Sequence, residues 1–123
     1  MGQQGKPPRG AERRRDPRYN RALPLRVGDR GAEGLRAESI NVSTRGLYCK
    51  VPRYVPPFSK LKVALDLPFA AREPATLECE GVVVRVEPEA ESPGVGEYKL
   101  AIYFLELPKA DAALIEAFLA ESH

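Results

Sequence analysis

The sequence predicts an all-β fold, a closed barrel of six short antiparallel strands followed by one C-terminal α-helix. Apolar and polar residues alternate in six short segments separated by Gly, Pro and Asp turn signals. Near the C-terminus the apolar spacing changes to that of a helix. Strands this short, with frequent turns, are typical of a closed barrel, because closure removes exposed strand edges.

The first predicted strand covers residues 22–27 and places Leu23, Leu25 and Val27 on one face. Pro24 cannot donate to a ladder, so this strand lies at an edge or has an irregular start. Gly81, inside a later strand, is a candidate for a bulge or for a close backbone approach. The other strands are predicted over residues 35–42, 47–51, 61–67, 76–87 and 98–105.

The C-terminal segment is predicted to be a helix over about 108–121, with an apolar face formed by Leu114, Ile115, Phe118 and Leu119. That face must pack against the barrel or against another subunit, and the periodicity leaves both open, so a monomer or a weak homodimer is expected. Residues 1–11 are predicted to be a flexible tail, and residues 12–121 a single domain.

Charge is distributed unevenly along the chain. Residues 1–30 hold nine Lys and Arg against three Asp and Glu, although the whole chain has a net charge of only +2. A basic N-terminal segment ahead of a mildly acidic body favours an anionic partner near the N-terminus. No apolar run approaches the roughly 18 residues that span a bilayer, and no export signal is visible, so the expected location is the cytoplasm without membrane insertion.

The sequence offers little for catalysis or for metal binding. Cys49 and Cys79 fall in predicted strands, where free buried thiols are favoured over a disulfide. Two cysteines and the single His123 cannot make a zinc site of the usual ligand count. No Gly-rich phosphate loop or nucleophile elbow is present. We therefore expect a protein that is not an enzyme and has no cofactor or metal.

An arginine motif precedes the first strand. Arg14 and Arg18 form an R-x-x-x-R pattern, preceded by Glu12 and Arg13. Guanidinium groups pair well with phosphate oxygens and with the O6 and N7 acceptors of guanine. Taken alone, such a run is more often a solvated basic tail, or a weak and nonspecific contact to nucleic acid or acidic lipid.

A second motif, N-x-S-x-x-G, closes the second predicted strand with Asn41, Ser43 and Gly46. On an extended strand Asn41 and Ser43 project from the same face, where amide and hydroxyl groups can meet a guanine edge or a phosphate. Gly46 permits a positive φ or a close ligand approach. Taken alone, the motif is better explained by a plain Asx or Ser turn in a hairpin.

Together, the two motifs make the chain resemble the PilZ domain family. The motif order, the six strands and the trailing helix all agree with that family, and the resemblance covers residues 12 to about 119. The stretch Ser39–Leu47 resembles its second motif. The segments Gly81–Val86 and Ala101–Phe104 resemble its later core strands.

The resemblance implies a ligand, cyclic di-GMP, and a role for each motif residue. Arg14 and Arg18 would clamp phosphates and guanine edges, and Arg13 would add a base or phosphate contact. Asn41 and Ser43 would hold a guanine, and Gly46 would keep the turn open. Asn41 departs from the aspartate found in many members, and neutral Asn accepts hydrogen bonds more weakly. Ala101 stands where a glycine is frequent, which bears on packing.

The resemblance therefore predicts a cytoplasmic cyclic di-GMP receptor whose arginine-rich arm becomes ordered on binding and which signals to an unidentified effector protein. One alternative is a ligand-blind PilZ-like adaptor that works through protein contacts alone. A less favoured alternative is a small barrel that binds nucleic acid through its basic tail. Such surfaces usually interleave aromatic and cationic residues, and Tyr19 is the only aromatic near the arginines.

Overall fold

A computed structural model describes residues 19–28 and 34–121. The predicted tail over residues 1–11 and the arginine motif with Arg13, Arg14 and Arg18 lie outside the described residues, as do residues 29–33.

The described chain forms six strands and one helix, and their bounds agree with the sequence prediction to within two residues. The elements are β1 (Pro24–Gly28), β2 (Leu35–Val42), β3 (Gly46–Val51), β4 (Lys60–Leu67), β5 (Ala75–Glu87), β6 (Tyr98–Leu105) and α1 (Lys109–Glu121).

The strands close into a barrel in the order β1-β2-β3-β6-β5-β4, and every neighbouring pair is antiparallel. β1 pairs with β2 on one side and with β4 on the other, so it is not an edge strand. Pro24 is instead its first residue, a position that tolerates the missing N–H. The predicted closed antiparallel barrel is confirmed.

The barrel interior is filled by the alternating apolar residues that the sequence pattern identified. Leu25, Val63, Leu65 and Leu100 are among the side chains with less than 4% exposure. Burying aliphatic side chains of this size contributes roughly 1.5–3 kcal/mol each. The core of the domain therefore lies inside the barrel, and the outer strand faces are left for polar contacts.

Two β-bulges interrupt the alternation, at Ile40 in β2 and at Val84 in β5. Gly81 is a close-approach position rather than a bulge, because an added Cβ would lie 2.5 Å from Cγ2 of Ile102 on β6. Each bulge shifts the inward and outward register by one residue. On each bulged strand, the residues that face outward therefore change from one alternating set to the other at the bulge.

Helix α1 buries Ile115, Phe118 and Leu119 within the same chain, so its apolar face is covered without a second subunit. The Phe118 ring meets the ring of Phe69, which follows β4, at a centroid distance of 5.5 Å. The Glu121 carboxylate accepts a hydrogen bond from the backbone N of Ala70. Between the two possibilities left open by the sequence, packing on the barrel is the one observed.

Ser39, a buried polar residue of β2, hydrogen-bonds to residues 21 and 23, which precede β1. Its hydroxyl accepts from the backbone N of Leu23 at 2.9 Å and donates to the carbonyl of Arg21 at 3.1 Å. The backbone N of Ser39 also donates to the carbonyl of Leu23 at 3.0 Å. These bonds satisfy groups that would otherwise be buried without partners.

The two cysteines are free thiols, as expected: Cys49 is buried and Cys79 half-buried. Across residues 19–28 and 34–121, no helix combines the length and apolar character needed to cross a membrane.

Candidate ligand-binding site

Four strands place one residue each in a continuous row on the outer surface of the barrel. Asn41 of β2 lies opposite Tyr48 of β3, Tyr48 lies opposite Ala101 of β6, and Ala101 lies opposite Arg85 of β5. The bulges at Ile40 and Val84 bring Asn41 and Arg85 to the outer face. An amide, a phenol and a guanidinium are thus aligned across the sheet.

A second row runs beside the first. Gly46 of β3 lies opposite Tyr103 of β6, which lies opposite Val82 of β5. On β3 and β6 each tyrosine is paired with a small residue: Tyr48 of β3 lies opposite Ala101, and Tyr103 of β6 lies opposite Gly46. The small residues leave a recessed floor between the two tyrosines.

Gly46 is required by packing between strands. A Cβ at this position would collide with the carbonyl oxygen of Ile102 on β6. Among the described glycines only Gly94 has a positive φ, so of the two reasons offered for Gly46, a positive φ or a close approach, the positive φ does not apply. The close approach at this glycine is made by the backbone of β6, which therefore forms the floor of the recess.

Ser43 lies in the turn between β2 and β3. Its hydroxyl accepts from the backbone N of Arg45 at 3.1 Å and donates to the carbonyl of Gly46 at 3.4 Å. The side chain is only 1% exposed. β2 ends at Val42, as predicted, so Ser43 lies in the turn, which its hydroxyl stabilises. The same-face projection expected for Asn41 and Ser43 on an extended strand therefore does not apply.

Tyr48 and Arg85 are fixed by Glu87 of β5. The Tyr48 hydroxyl donates to Oε1 of Glu87 at 2.8 Å, and Nε of Arg85 lies 3.4 Å from Oε2 of the same carboxylate. The Arg85 guanidinium lies 5.9 Å from the centre of the Tyr48 ring. The hydrogen bond to Glu87, followed by burial, raises the pKa of Tyr48. The phenol stays neutral, and the guanidinium lies beside both the Glu87 carboxylate and the Tyr48 ring.

These residues line an open depression of about 410 Å³. Its lining includes Asn41, Ser43, Arg45, Gly46, Tyr48, Arg85 and Tyr103. The N-x-S-x-x-G residues are therefore brought together with two cations, Arg45 and Arg85, and two aromatic rings. Such a surface suits a flat, anionic ligand.

A larger depression of about 620 Å³ lies on the outer side of β1, β2 and β3. Its charges balance, since Arg26, Arg36 and Lys50 are matched by Glu38, Asp66 and Glu97. Among the described residues that line it, Asn41, Ser43 and Gly46 are absent, so the smaller depression is the candidate site.

Tyr19, the first described residue, leads the chain from the arginine motif to this site. Its backbone pairs with Val42, which stands between Asn41 and Ser43. Because Arg18 is bonded directly to Tyr19, the arginine motif is attached beside the N-x-S-x-x-G turn.

Sequence reasoning did not assign a site role to Arg45, Tyr48, Arg85 or Tyr103. No pattern along the chain shows which residues meet across strands. The pairing of β3 with β6, and the bulge at Val84, decide that Tyr48, Ala101 and Arg85 share a row. Within residues 19–28 and 34–121, no cluster of three or more His, Cys, Asp or Glu side chains is placed to hold a metal ion.

Residues 12–121 match the PilZ domain family, and the chain belongs to that family. Members of this family are known as binding and adaptor domains rather than as enzymes. No curated protein sequence was found to match this one.

Solved structures share the fold. The inhibitor of motility MotI/DgrA of Bacillus subtilis has a TM-score of 0.71 and 20% identity, covering 94% of this chain and 56% of that one. YcgR of Escherichia coli in complex with c-di-GMP has a TM-score of 0.67 and 11% identity, covering 89% of this chain and 46% of that one.

The separate PilZ domain of Escherichia coli YcgR with c-di-GMP has a TM-score of 0.63 and 10% identity, covering 89% of this chain and 90% of that one. The chain spans about half the length of MotI/DgrA and of the longer YcgR chain. At these identities the likeness establishes the fold.

Proposed function

We propose that this PilZ domain is a receptor for cyclic di-GMP, which binds in the depression lined by Asn41, Gly46, Arg85 and Tyr103. The observation that carries the proposal is the row from Asn41 to Arg85, which lies beside the point where the arginine motif joins the barrel. Two related structures, both from YcgR, contain c-di-GMP on the same fold.

On this proposal the ligand contacts are divided between the arm and the barrel. Arg14 and Arg18 hold phosphates and guanine edges, and Arg13 adds a further contact. Asn41 binds a guanine edge. Arg85 supplies a second cationic group from the far side of the depression, fixed in place by Glu87.

Ser43 and Gly46 shape the site in this proposal. The Ser43 hydroxyl forms its hydrogen bonds within the turn. Because Gly46 has no side chain, β6 can lie close to it beneath the ligand. Both residues therefore support binding by fixing the position of Asn41 and Arg45 around the turn.

Binding orders the arm across the depression and changes the surface that a separate effector protein recognises. Tyr19 connects this change to α1, because its ring packs edge-on against Phe118 at a centroid distance of 4.8 Å. The protein acts in the cytoplasm as a monomer or weak homodimer, without catalysis.

The test is calorimetric titration with cyclic di-GMP, with GTP and single-stranded RNA as comparison ligands. An Arg14→Ala/Arg18→Ala protein is compared with an Arg36→Ala/Arg53→Ala protein, which loses the same charge at exposed positions away from the depression. Saturable binding that only the first variant loses supports the receptor. Equal losses in both variants would show that only net charge matters.

A ligand-blind adaptor is the second candidate, and the burial of the Ser43 hydroxyl favours it, since that group is unavailable to a ligand. The absence of any heat with cyclic di-GMP up to millimolar concentration would select this candidate. Binding of RNA that weakens steeply with salt would instead indicate a nucleic-acid module.

A further inference from the structure

Tyr103 stands out on the outer face of β6, because its side chain is 51% exposed although it lines a recess. The residue directly opposite on β3 is Gly46, which has no side chain to cover the ring. An aromatic ring beside a bare glycine offers an apolar face to a ligand.

Tyr48, the other aromatic of the depression, has neighbours that occupy both its hydroxyl and the space near its ring. Its hydroxyl is bonded to Glu87, and the guanidinium of Arg85 lies 5.9 Å from its ring centre. Tyr48 is therefore held in place by its neighbours. Of the two rings, Tyr103 is the one whose position leaves room for a planar partner.

We propose that Tyr103 stacks on one purine base of a bound cyclic dinucleotide, the base that Asn41 does not hold. The inference rests on the proposed function and identifies a contact outside both sequence motifs. Aromatic side chains are general stacking platforms for bases, because every base presents a π-face.

The spacing across the sheet supports a second base position. Asn41 and Tyr103 stand on β2 and β6, which are separated by β3. Two strand spacings separate the two backbones by roughly 9–10 Å, which leaves room for one base at each residue. A ligand with two bases joined by phosphates reaches both, and the cations Arg45 and Arg85 line the space that it would cover.

The test uses cyclic di-GMP and the whole chain. Replacing Tyr103 with Ala is expected to weaken binding roughly 5- to 150-fold, the range found when a base-stacking aromatic is truncated. Tyr103→Phe keeps the ring and is expected to bind like the unmodified protein. Tyr103→Leu keeps apolar bulk without a π-system and is expected to bind nearly as weakly as Tyr103→Ala.

A matched control is Phe58→Ala. Phe58 is the other strongly exposed aromatic of the described chain, at 79%, and it does not line the depression. Its loss is expected to leave the affinity unchanged. Thermal unfolding of each variant establishes that the barrel is intact before affinities are compared.

A spectroscopic readout separates stacking from an indirect packing effect. The chain has five Tyr and no Trp, so its ultraviolet emission comes from tyrosine. A base on Tyr103 is expected to quench part of that emission, and Tyr103→Phe should abolish this part while preserving affinity. Quenching that persists unchanged in Tyr103→Phe would overturn the proposal.

The outcomes distinguish a failure of the stacking role of Tyr103 from a failure of the receptor function. If the unmodified protein binds cyclic di-GMP and Tyr103→Ala binds equally well, the stacking role is wrong and the receptor function stands. If Tyr103→Phe loses as much affinity as Tyr103→Ala, the hydroxyl rather than the ring is responsible, and stacking is overturned. If the unmodified protein does not bind, the receptor function fails and the stacking role fails with it.

Discussion

Tyr19 and Val42 hold each other through two backbone hydrogen bonds, from Tyr19 N to Val42 O at 2.9 Å and from Val42 N to Tyr19 O at 3.0 Å. The ring of Tyr19 meets Phe118 of α1 edge-on. Since Val42 stands between Asn41 and Ser43, a single residue connects the binding turn, the incoming chain and the helix. A substitution at Tyr19 would therefore remove contacts to all three.

Truncating the junction should therefore reduce stability. Tyr19→Ala removes an edge-to-face ring pair and part of the apolar cover of Phe118, and we expect a loss of about 2 kcal/mol in the free energy of unfolding. Tyr19→Phe keeps the ring contact and should stay within about 0.5 kcal/mol of the unmodified protein. Urea denaturation followed by circular dichroism measures both, and equal stability of the two variants would contradict a role for the ring.

Ser39→Ala should be destabilising although it removes a single oxygen. The backbone N of Leu23 would lose its bond to the Ser39 hydroxyl in a buried position. Leaving a buried donor unsatisfied costs about 1–3 kcal/mol. The control is Ser92→Ala, at an exposed loop residue, with an expected change within about 0.5 kcal/mol. Chemical denaturation of the pair gives the comparison, and similar midpoints would show that Leu23 finds another partner.

Gly46→Ala should weaken the barrel at the β3–β6 pair. The new Cβ would press on the carbonyl oxygen of Ile102, which is backbone and cannot rotate away. We expect a loss of about 3 kcal/mol, the upper part of the usual range for overpacking. Gly96→Ala is the matched control, because a Cβ there meets nothing within 4 Å. Thermal unfolding should show a lower midpoint for Gly46→Ala alone.

Asn41→Asp should bind cyclic di-GMP more tightly at neutral pH if Asn41 accepts from a guanine edge. A hydrogen bond to a carboxylate is roughly twice as strong as one to a neutral amide, so we expect about fivefold higher affinity. The gain should vanish as the pH falls through the range in which aspartate is protonated, about 4. Calorimetry with Asn41→Ala as the comparison measures this, and weaker binding by Asn41→Asp would place a ligand phosphate, rather than a guanine edge, at this position.

Because both thiols have raised pKa values, we expect the free energy of unfolding to fall at alkaline pH. Burial raises the pKa of Cys49 to about 12, and burial together with Asp111 raises the pKa of Cys79 to about 11. A raised pKa in the folded state means that the neutral thiol is favoured there. The stabilising effect is complete below the ordinary thiol pKa of about 9 and is lost as the pH rises toward 11 and then 12. Denaturation midpoints from pH 8 to 11 should fall, and Cys49→Ala should reduce the slope. A flat profile would contradict the burial effect.

The sequence predicted the elements of this fold closely, because each one has a local cause. Leu61, Val63 and Leu65 alternate on one face of β4, and Ile115, Phe118 and Leu119 have helical spacing on α1. Such periodicity is visible in the chain itself. The barrel closure followed from strand number and length.

The site was predicted less completely, because it depends on contacts between strands. Asn41 and Gly46 were identified from their motif, but the meeting of Tyr48 with Arg85 depends on register and on the bulge at Val84. The sequence also left two reasons open for Gly46, a positive φ or a close approach, and only the structure shows that the backbone of β6 passes close to it. Neither relationship has a local signature in the sequence.

The closed order of the strands has a consequence for molecular recognition. Each of the six described strands already has two hydrogen-bonded neighbours, so none offers a free row of N–H and C=O groups to a partner. A partner therefore cannot bind this barrel by adding a strand to its sheet, the mode called β-augmentation. Any protein that binds this barrel must therefore contact side chains on the outer face or on the helix. Its specificity can then diverge through single surface substitutions, with the hydrogen-bonded framework left unaltered.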